Sequence, residues 1–283
     1  MSAVKWWGVS YTDSVANPTT GIPTIAAFLW RKGQMINLGN FGGTLSGIAE
    51  MNNRGQVIGT SSLPGDELFD PFFWNDGKLV DLYSETVGAN VYTANAINDA
   101  EQVVGAGAFS DHPYDAYVWK GGVAKDLGFL DGDCYSEAFA INSKGQITGQ
   151  SYSCDASNAR AFLWQNGTMF ELNQLISGNT DFKFTQAFVI NDRGEIGGIG
   201  TPPGCDFDED CGHALVLIPC GPDRLDRGRE QAVQIAAITS DINVSPTRRA
   251  SVGTSVNVTG RDLALRLQSR FGRNRSFGLP HLK

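Results

Sequence analysis

Short apolar strings recur along the chain, each flanked by polar turn residues. Ala27-Phe-Leu-Trp30, Pro71-Phe-Phe-Trp74, Ala116-Tyr-Val-Trp119 and Ala161-Phe-Leu-Trp164 place their tryptophans 44, 45 and 45 positions apart (30, 74, 119, 164). In an extended strand successive side chains point to opposite faces, so Phe162 and Trp164 share one face and Ala161 and Leu163 the other. Both faces are apolar and both need cover. Behind the strings comes a second motif: Met51-Asn-Asn-Arg-Gly-Gln56, Ile97-Asn-Asp-Ala-Glu-Gln102, Ile141-Asn-Ser-Lys-Gly-Gln146 and Ile190-Asn-Asp-Arg-Gly-Glu195. Each unit therefore reads as four short strands: the aromatic string, a second after a turn such as Arg31-Lys-Gly-Gln34 or Asn166-Gly167, a third ending in Ile-Asn, and a fourth opening at Gln. Short strands joined by Asn/Gly turns form antiparallel hairpins. Four of them in a period of about 45 residues predict the blade of a β-propeller. The expected fold is all-β, a propeller of about five four-stranded blades, one split or incomplete, with a partly helical C-terminal tail.

The Ile-Asn-x-x-Gly-Gln turn has its own logic. Asn142 or Asn191 is placed to accept a hydrogen bond from a backbone amide of the turn, and Gly145 or Gly194 can take positive φ. Glu101 stands where Gly55, Gly145 and Gly194 stand. That turn is expected either to have another geometry or to store about 1–2 kcal/mol of strain, and is read as drift and not as a site.

Complete units lie near residues 26–61, 71–107, 115–151 and 160–200. Residues 5–10 match the fourth strand of a unit, and Ala214-Leu-Val-Leu-Ile218 opens a fifth that lacks its second and third strands. The expected repair is a split blade, 212–220 plus 5–10, in which the Trp6-Trp7 strand completes the last blade; the competing expectation is that further repeats and an export signal lie upstream. Residues 1–220 are thus the repeat domain, and 221–283 a basic linker and helical tail. In the tail Arg229–Ile238 reads as a helix, and Thr259-Gly-Arg-Asp262 as a capping box before an apolar face of Leu263, Leu267 and Phe271. That face is expected to dock on the repeats.

Composition sharpens this picture in two places. The net charge of -8 argues against a nucleic-acid partner. It is also uneven: residues 221–283 hold 11 Lys/Arg and 5 Asp/Glu, leaving the first 220 residues at -14. No apolar run is long enough to cross a bilayer, and no export signal precedes Lys5-Trp-Trp, so the chain as written would stay in the cytoplasm. The cysteines point the other way. Cys134 and Cys154 share a repeat, and Cys205, Cys211 and Cys220 cluster near the end of the array; loops closed by disulfides in an oxidising compartment are the expected reading, with reduced thiols the alternative. With 5 cysteines at least one is unpaired or bridges two chains.

The strings are specific enough to suggest relatives. Ala-Phe-Leu-Trp, Asn37-Leu-Gly39 with Phe41-Gly-Gly43, Asp126-Leu-Gly128, Ser136 before Ala138-Phe-Ala-Ile-Asn142, and Gly145-Gln-Ile-Thr-Gly149 resemble the bacterial extracellular HAF-repeat family. The resemblance covers residues 5 to about 220. It implies export, hence an extracellular or periplasmic location, and supplies no activity, ligand or catalytic residue.

Candidate chemistry is sparse. Asp206, Asp208 and Asp210 space three carboxylates as in a calcium loop, pinned by Cys205 and Cys211; Cys211 stands where such a loop needs Gly and Leu217 where it needs Glu, so the calcium reading is weak and no other cofactor is expected. His112, His213 and His281 show no paired ligand spacing, so no zinc site is expected. Glycosidase chemistry would need two facing carboxylates. Asp66, Glu67, Asp70, Asp111, Asp115, Asp131 and Asp133 are the loop acids available, and they read as solvated turns. The loops before each aromatic string (Tyr11–Ile25, Ser61–Asp70, Phe109–Asp115, Ser151–Arg160) vary on a constant frame, which suits recognition. Tyr11, Phe69, Tyr114 and Tyr152 could stack on sugars or pack at the loop bases. The function expected is a non-catalytic scaffold or binding module for cell-surface proteins or glycans. The alternatives are a carbohydrate-active propeller and a truncated product without independent function; the oligomeric state is left open.

Overall fold

A computed structural model describes residues 6–18, 21, 23–176, 180–205, 211–219 and 233–237. The chain lays down five antiparallel sheets in sequence order, in a propeller-like arrangement. The first holds β1 (Trp6–Tyr11), β2 (Ile25–Arg31) and β3 (Gln34–Asn37); the second β4 (Ser46–Met51), β5 (Val57–Ser62), β6 (Phe69–Asn75) and β7 (Lys78–Asp81). The third has β8 (Asn90–Val91) and β9 (Ala96–Ile97), both paired with β10 (Val103–Ala108), then β11 (Asp115–Lys120) and β12 (Val123–Gly128). The fourth contains β13 (Tyr135–Ile141), β14 (Ile147–Tyr152), β15 (Ala159–Gln165) and β16 (Thr168–Glu171), followed by a single helical turn, α1 (Leu172–Leu175). The fifth holds β17 (Lys183–Ile190), β18 (Ile196–Thr201), β19 (His213–Pro219) and β20 (Val233–Ala237).

Sheet and sequence unit are out of phase. Each sheet takes the Ile-Asn and Gln strands from one unit and the aromatic string and its partner from the next, because the Gln strand pairs with the following aromatic string, as in Val57↔Trp74 and Ile147↔Trp164. The same pairing corrects the expectation for the N-terminal strand. Trp6 lies opposite Trp30 and Tyr11 opposite Ile25, so β1 belongs to the first sheet and does not complete the last. The fifth sheet instead continues into β20, where a helix was expected over Arg229–Ile238; Val216 pairs with Ala236 and Leu217 with Ile235. Pairing with the β19 edge overrides the helical pattern of that segment. The rest of the tail, including Leu263, Leu267 and Phe271, lies outside the described residues.

The aromatic rows explain why the sheets stack. Across each sheet one residue of the Gln strand, the tryptophan and one residue of the next strand stand in register: Val57–Trp74–Leu79, Val103–Trp119–Ala124 and Ile147–Trp164–Met169. Every such row packs on the preceding sheet. Trp74 with Phe72 meets Ala27 and Leu29 of the first sheet, Trp119 meets Ile58 and Phe73 of the second, and Phe162 with Trp164 meets Ala116 and Val104 of the third. On the other face of the fourth sheet, Ala161 and Leu163 pack against Phe184, Leu215 and Leu217 of the fifth. The two-faced burial expected of Ala161–Trp164 therefore holds. In the first sheet the equivalent row, Trp6–Trp30–Met35, has no preceding sheet among the described residues, and all three side chains are exposed. Burying a side chain of this size is worth about 3 kcal/mol, repeated at each buried row.

The Asn turns join neighbouring sheets. Asn52, Asn98 and Asn142 each accept two backbone amides of their own turn, as expected, through Oδ1. Each Nδ2 also donates to the backbone carbonyl of the equivalent Asn in the next sheet: Asn52 to Asn98, Asn98 to Asn142, Asn142 to Asn191, at 3.0–3.1 Å. Glu101 keeps the same turn geometry and takes φ 63° where Gly145 takes 75°, so the strain is real. Its carboxylate accepts Gln56 Nε2 at 2.7 Å, a compensating bond to the preceding turn.

Candidate functional site

Alternating strand direction sorts the connections between two ends of the sheets. The Asn turns and the tight turns such as Asn166-Gly167 fall at one end and are nearly uniform. At the other end lie the sheet-to-sheet connections and the loops 12–24, 63–68, 109–114, 153–158 and 202–212, which differ in length and sequence. Both disulfides, Cys134–Cys154 and Cys205–Cys211, brace this end. The first closes a separation of 20 residues, and cross-linking a loop of that size removes about 3 kcal/mol of unfolded-chain entropy. Replacing Cys134 and Cys154 by Ser is expected to lower the unfolding free energy by about that much, and a reductant added to the unaltered protein, which also opens Cys205–Cys211, should lower it by at least as much in a urea melt.

The strongest constellation at this end is in the third sheet. His112 comes from the loop between β10 and β11, Asp115 opens β11, and Asp126 lies near the end of β12. Reciprocal backbone hydrogen bonds between Phe109 and His112 close the loop and set the imidazole just ahead of the strand. The β11–β12 hairpin pairs Tyr117 with Asp126, and a bulge between Ala116 and Tyr117 shifts the register beside Asp115. Gly128 N donates to Asp126 Oδ1 at 2.7 Å, while His112 Nδ1 lies 3.7 Å from Asp126 Oδ2. His112 Nδ1 is 3.1 Å from Asp115 Oδ2, and one ligand-type atom from each of the three residues falls within 4.8 Å of the others. The Phe129 ring packs edge-on against the imidazole.

The electrostatics of this cluster are unbalanced. The Asp115 side chain is 0% exposed; His112 Nδ1 lies 3.1 Å from its Oδ2 as an ion-pair contact, and no other donor serves either oxygen. Burial pushes the Asp115 carboxyl up to about 7, and the Asp126 charge adds to the rise while His112 opposes it. His112 and Asp126 are part-exposed, with side chains 42% and 33% accessible, so the cluster opens to solvent on one side.

The same two places in the other sheets show what the fold does there. Asp115 and Asp126 correspond to Arg160 and Glu171 in the fourth sheet, four residues before the tryptophan and opposite the central aromatic. Arg160 lies 2.9 Å from both Asp133 and Glu171 and donates to the Asp131 carbonyl. In the second sheet the pair is Asp70 and Asp81, and Asp81 accepts Tyr83 N and Ser84 Oγ. The first sheet has Ala26 and Asn37, which carry no charge.

The residues singled out from sequence fall as follows. Asp206, Asp208 and Asp210 lie outside the described residues, as do Cys220 and His281. Asp66 clamps its own loop, accepting Ser62 Oγ, Thr44 N and Thr44 Oγ1; burial alone would raise its carboxyl, but these bonds hold it below the usual range. Asp131 and Asp133 serve Arg160. Glu67 and Asp111 are exposed. Of the aromatics, Tyr11 and Phe69 are exposed, whereas Tyr114 and Tyr152 are fully buried at the loop bases, which excludes them from stacking on a sugar. Tyr114 packs with Ala106 and Ala156, and its hydroxyl donates to Glu137 at 2.9 Å. His213 sits edge-on to Phe182, next to a Cys211 held in its disulfide. The His112–Asp115–Asp126 grouping was missed as a set, although His112-x-x-Asp115 and Asp126-Leu-Gly128 were both visible.

No family model and no curated protein matches this sequence. Among solved structures the chain is similar to the crystal structure of TolB from Acinetobacter baumannii, with a TM-score of 0.44 and 11% sequence identity over 83% of this chain and 53% of that one. The present chain therefore spans about half the length of that protein.

Proposed function

We propose that this chain is a non-catalytic, extracytoplasmic repeat scaffold of the HAF type, a closed or nearly closed propeller whose loop end binds cell-surface protein or glycan. The observation that carries the reading is the asymmetry of the two ends. Uniform turns at one end hold the frame, while loops of differing length, two disulfides and the exposed Tyr11 and Phe69 gather at the other. Paired cysteines support an oxidising compartment outside the cytoplasm. Equivalent loops around one end also allow several weak contacts to act together. Among the described residues no helix is long and apolar enough to cross a membrane.

Immobilised full-length protein screened against bacterial surface polysaccharides and envelope proteins is expected to retain at least one class. The Tyr11→Ala, Phe69→Ala double variant should lose that retention with an unchanged urea midpoint. Retention that survives both substitutions, or release of shortened glycan, would overturn the proposal.

A further inference from the structure

We propose that His112, Asp115 and Asp126 bind one divalent transition-metal ion of the zinc class, with at least one coordination position open to solvent. This site is independent of the binding role proposed above. Three observations carry it. First, an imidazole nitrogen and two carboxylates from a loop and two strands converge so that their ligand atoms lie within 4.8 Å of one another, with His112 Nδ1 3.1 Å from Asp115 and 3.7 Å from Asp126. Donors held about 2.0–2.2 Å from a shared tetrahedral ion stand about 3.3 Å apart, so small side-chain rotations complete the set.

Second, Asp115 is wholly buried, and apart from the His112 nitrogen 3.1 Å from Oδ2 neither of its oxygens has a hydrogen-bonding donor. A buried carboxylate compensated by one part-exposed imidazole alone is costly, and a second carboxylate beside it makes the cost larger. Third, the fourth sheet meets the same arrangement with a cation of its own: Arg160 stands between Asp133 and Glu171. In the third sheet Asp115 replaces that arginine, and among the described residues no Lys or Arg pairs with Asp115 or Asp126. The repeat has exchanged an internal cation for a third ligand, and an external cation restores the balance.

The donor set selects the ion. Calcium and magnesium take oxygen ligands, whereas one imidazole with two carboxylates suits zinc and its first-row neighbours. Bound metal would tie the 109–114 loop to the β11–β12 hairpin. Its open position faces the solvent side of the loop end, where water or a ligand oxygen can complete the shell.

The test uses the full chain after chelator treatment and dialysis. Calorimetric titration with zinc chloride is expected to show one equivalent bound through this site, cobalt(II) should give visible ligand-field absorption, and zinc should raise the melting temperature. His112→Ala and Asp115→Asn should each weaken that binding by more than the roughly 100-fold that loss of an outer-shell partner costs. Asp115→Asn removes the buried charge, so its metal-free form should melt no lower than the unaltered protein, which separates loss of a ligand from failure to fold. Absence of stoichiometric zinc binding, zinc binding unchanged in both variants, or binding of calcium in preference to zinc would each overturn the assignment.

Discussion

Gly149→Ala is expected to lower the unfolding free energy by about 4 kcal/mol, whereas Gly8→Ala is expected to change it by less than about 1 kcal/mol. The two glycines occupy the same place in the repeat, three residues after Gln146 and after Lys5, which open the motif. A Cβ on Gly149 would lie 2.0 Å from the Glu137 carbonyl oxygen and 2.8 Å from two atoms of the Phe162 ring. The oxygen is backbone within a paired strand and cannot move aside as the end of a side chain could. Gly59 and Gly198 face the same obstacle, the carbonyls of Gly47 and Gln186 at 2.0 and 1.8 Å. The cause is a bulge: the first strand of each of these sheets shifts register just past the residue opposite the glycine, between Ile48 and Glu50, Ala138 and Ala140, and Ala187 and Val189. A bulge bends its strand and brings a carbonyl over the partner. Among the described residues the first sheet has three strands and no strand on the outer side of β1, and a Cβ on Gly8 meets the Phe28 ring at 3.4 Å. Urea melts of the two variants decide the matter; equal losses would mean that β1 is not an edge.

The period, the hairpins and the two-faced burial of the aromatic strings were legible because they depend on local alternation and turn chemistry. The assembly of those strands was less so. A repeat can be cut at any point, and nothing in Ala161–Trp164 says whether its closer partner precedes or follows it; the backbone pairs it with the Gln strand before it. The segment around Val233–Ala237 misled because its apolar spacing fits a helix, while the open edge of β19 supplies partners that local pattern does not register. The His112 cluster was hidden for a different reason. Its ligands are separated by a strand and a turn, and only knowledge that residues 115 and 126 are neighbours across a hairpin, like 160 and 171, turns two unremarkable aspartates into a pair.

Asn142→Ala is expected to cost about 4 kcal/mol, and Asn191→Ala about 2 kcal/mol or less. Asn142 is 4% exposed and its side chain makes four hydrogen bonds: Oδ1 accepts Lys144 N and Gln146 N at 3.0 Å each, and Nδ2 donates to Gln146 Oε1 at 2.7 Å and to the Asn191 carbonyl at 3.1 Å. Alanine supplies none of them. Each bond contributes about 1 kcal/mol net, and a partner left buried and unpaired costs more than the mean. Asn191 holds the same turn in the fifth sheet, accepting Arg193 N and Glu195 N, but it is exposed and water can replace its bonds. The difference between the two variants isolates what the inter-sheet bond and its burial add to a turn that is otherwise the same. Asn142→Asp refines the comparison, since it keeps the two acceptor bonds and sets a negative oxygen against the Asn191 carbonyl and Gln146 Oε1. Its loss should approach that of alanine if the bond to the next sheet matters most, and fall near that of Asn191→Ala if the turn itself does. Equal melts for Asn142→Ala and Asn191→Ala would show that the ladder of asparagines shapes turns without joining sheets.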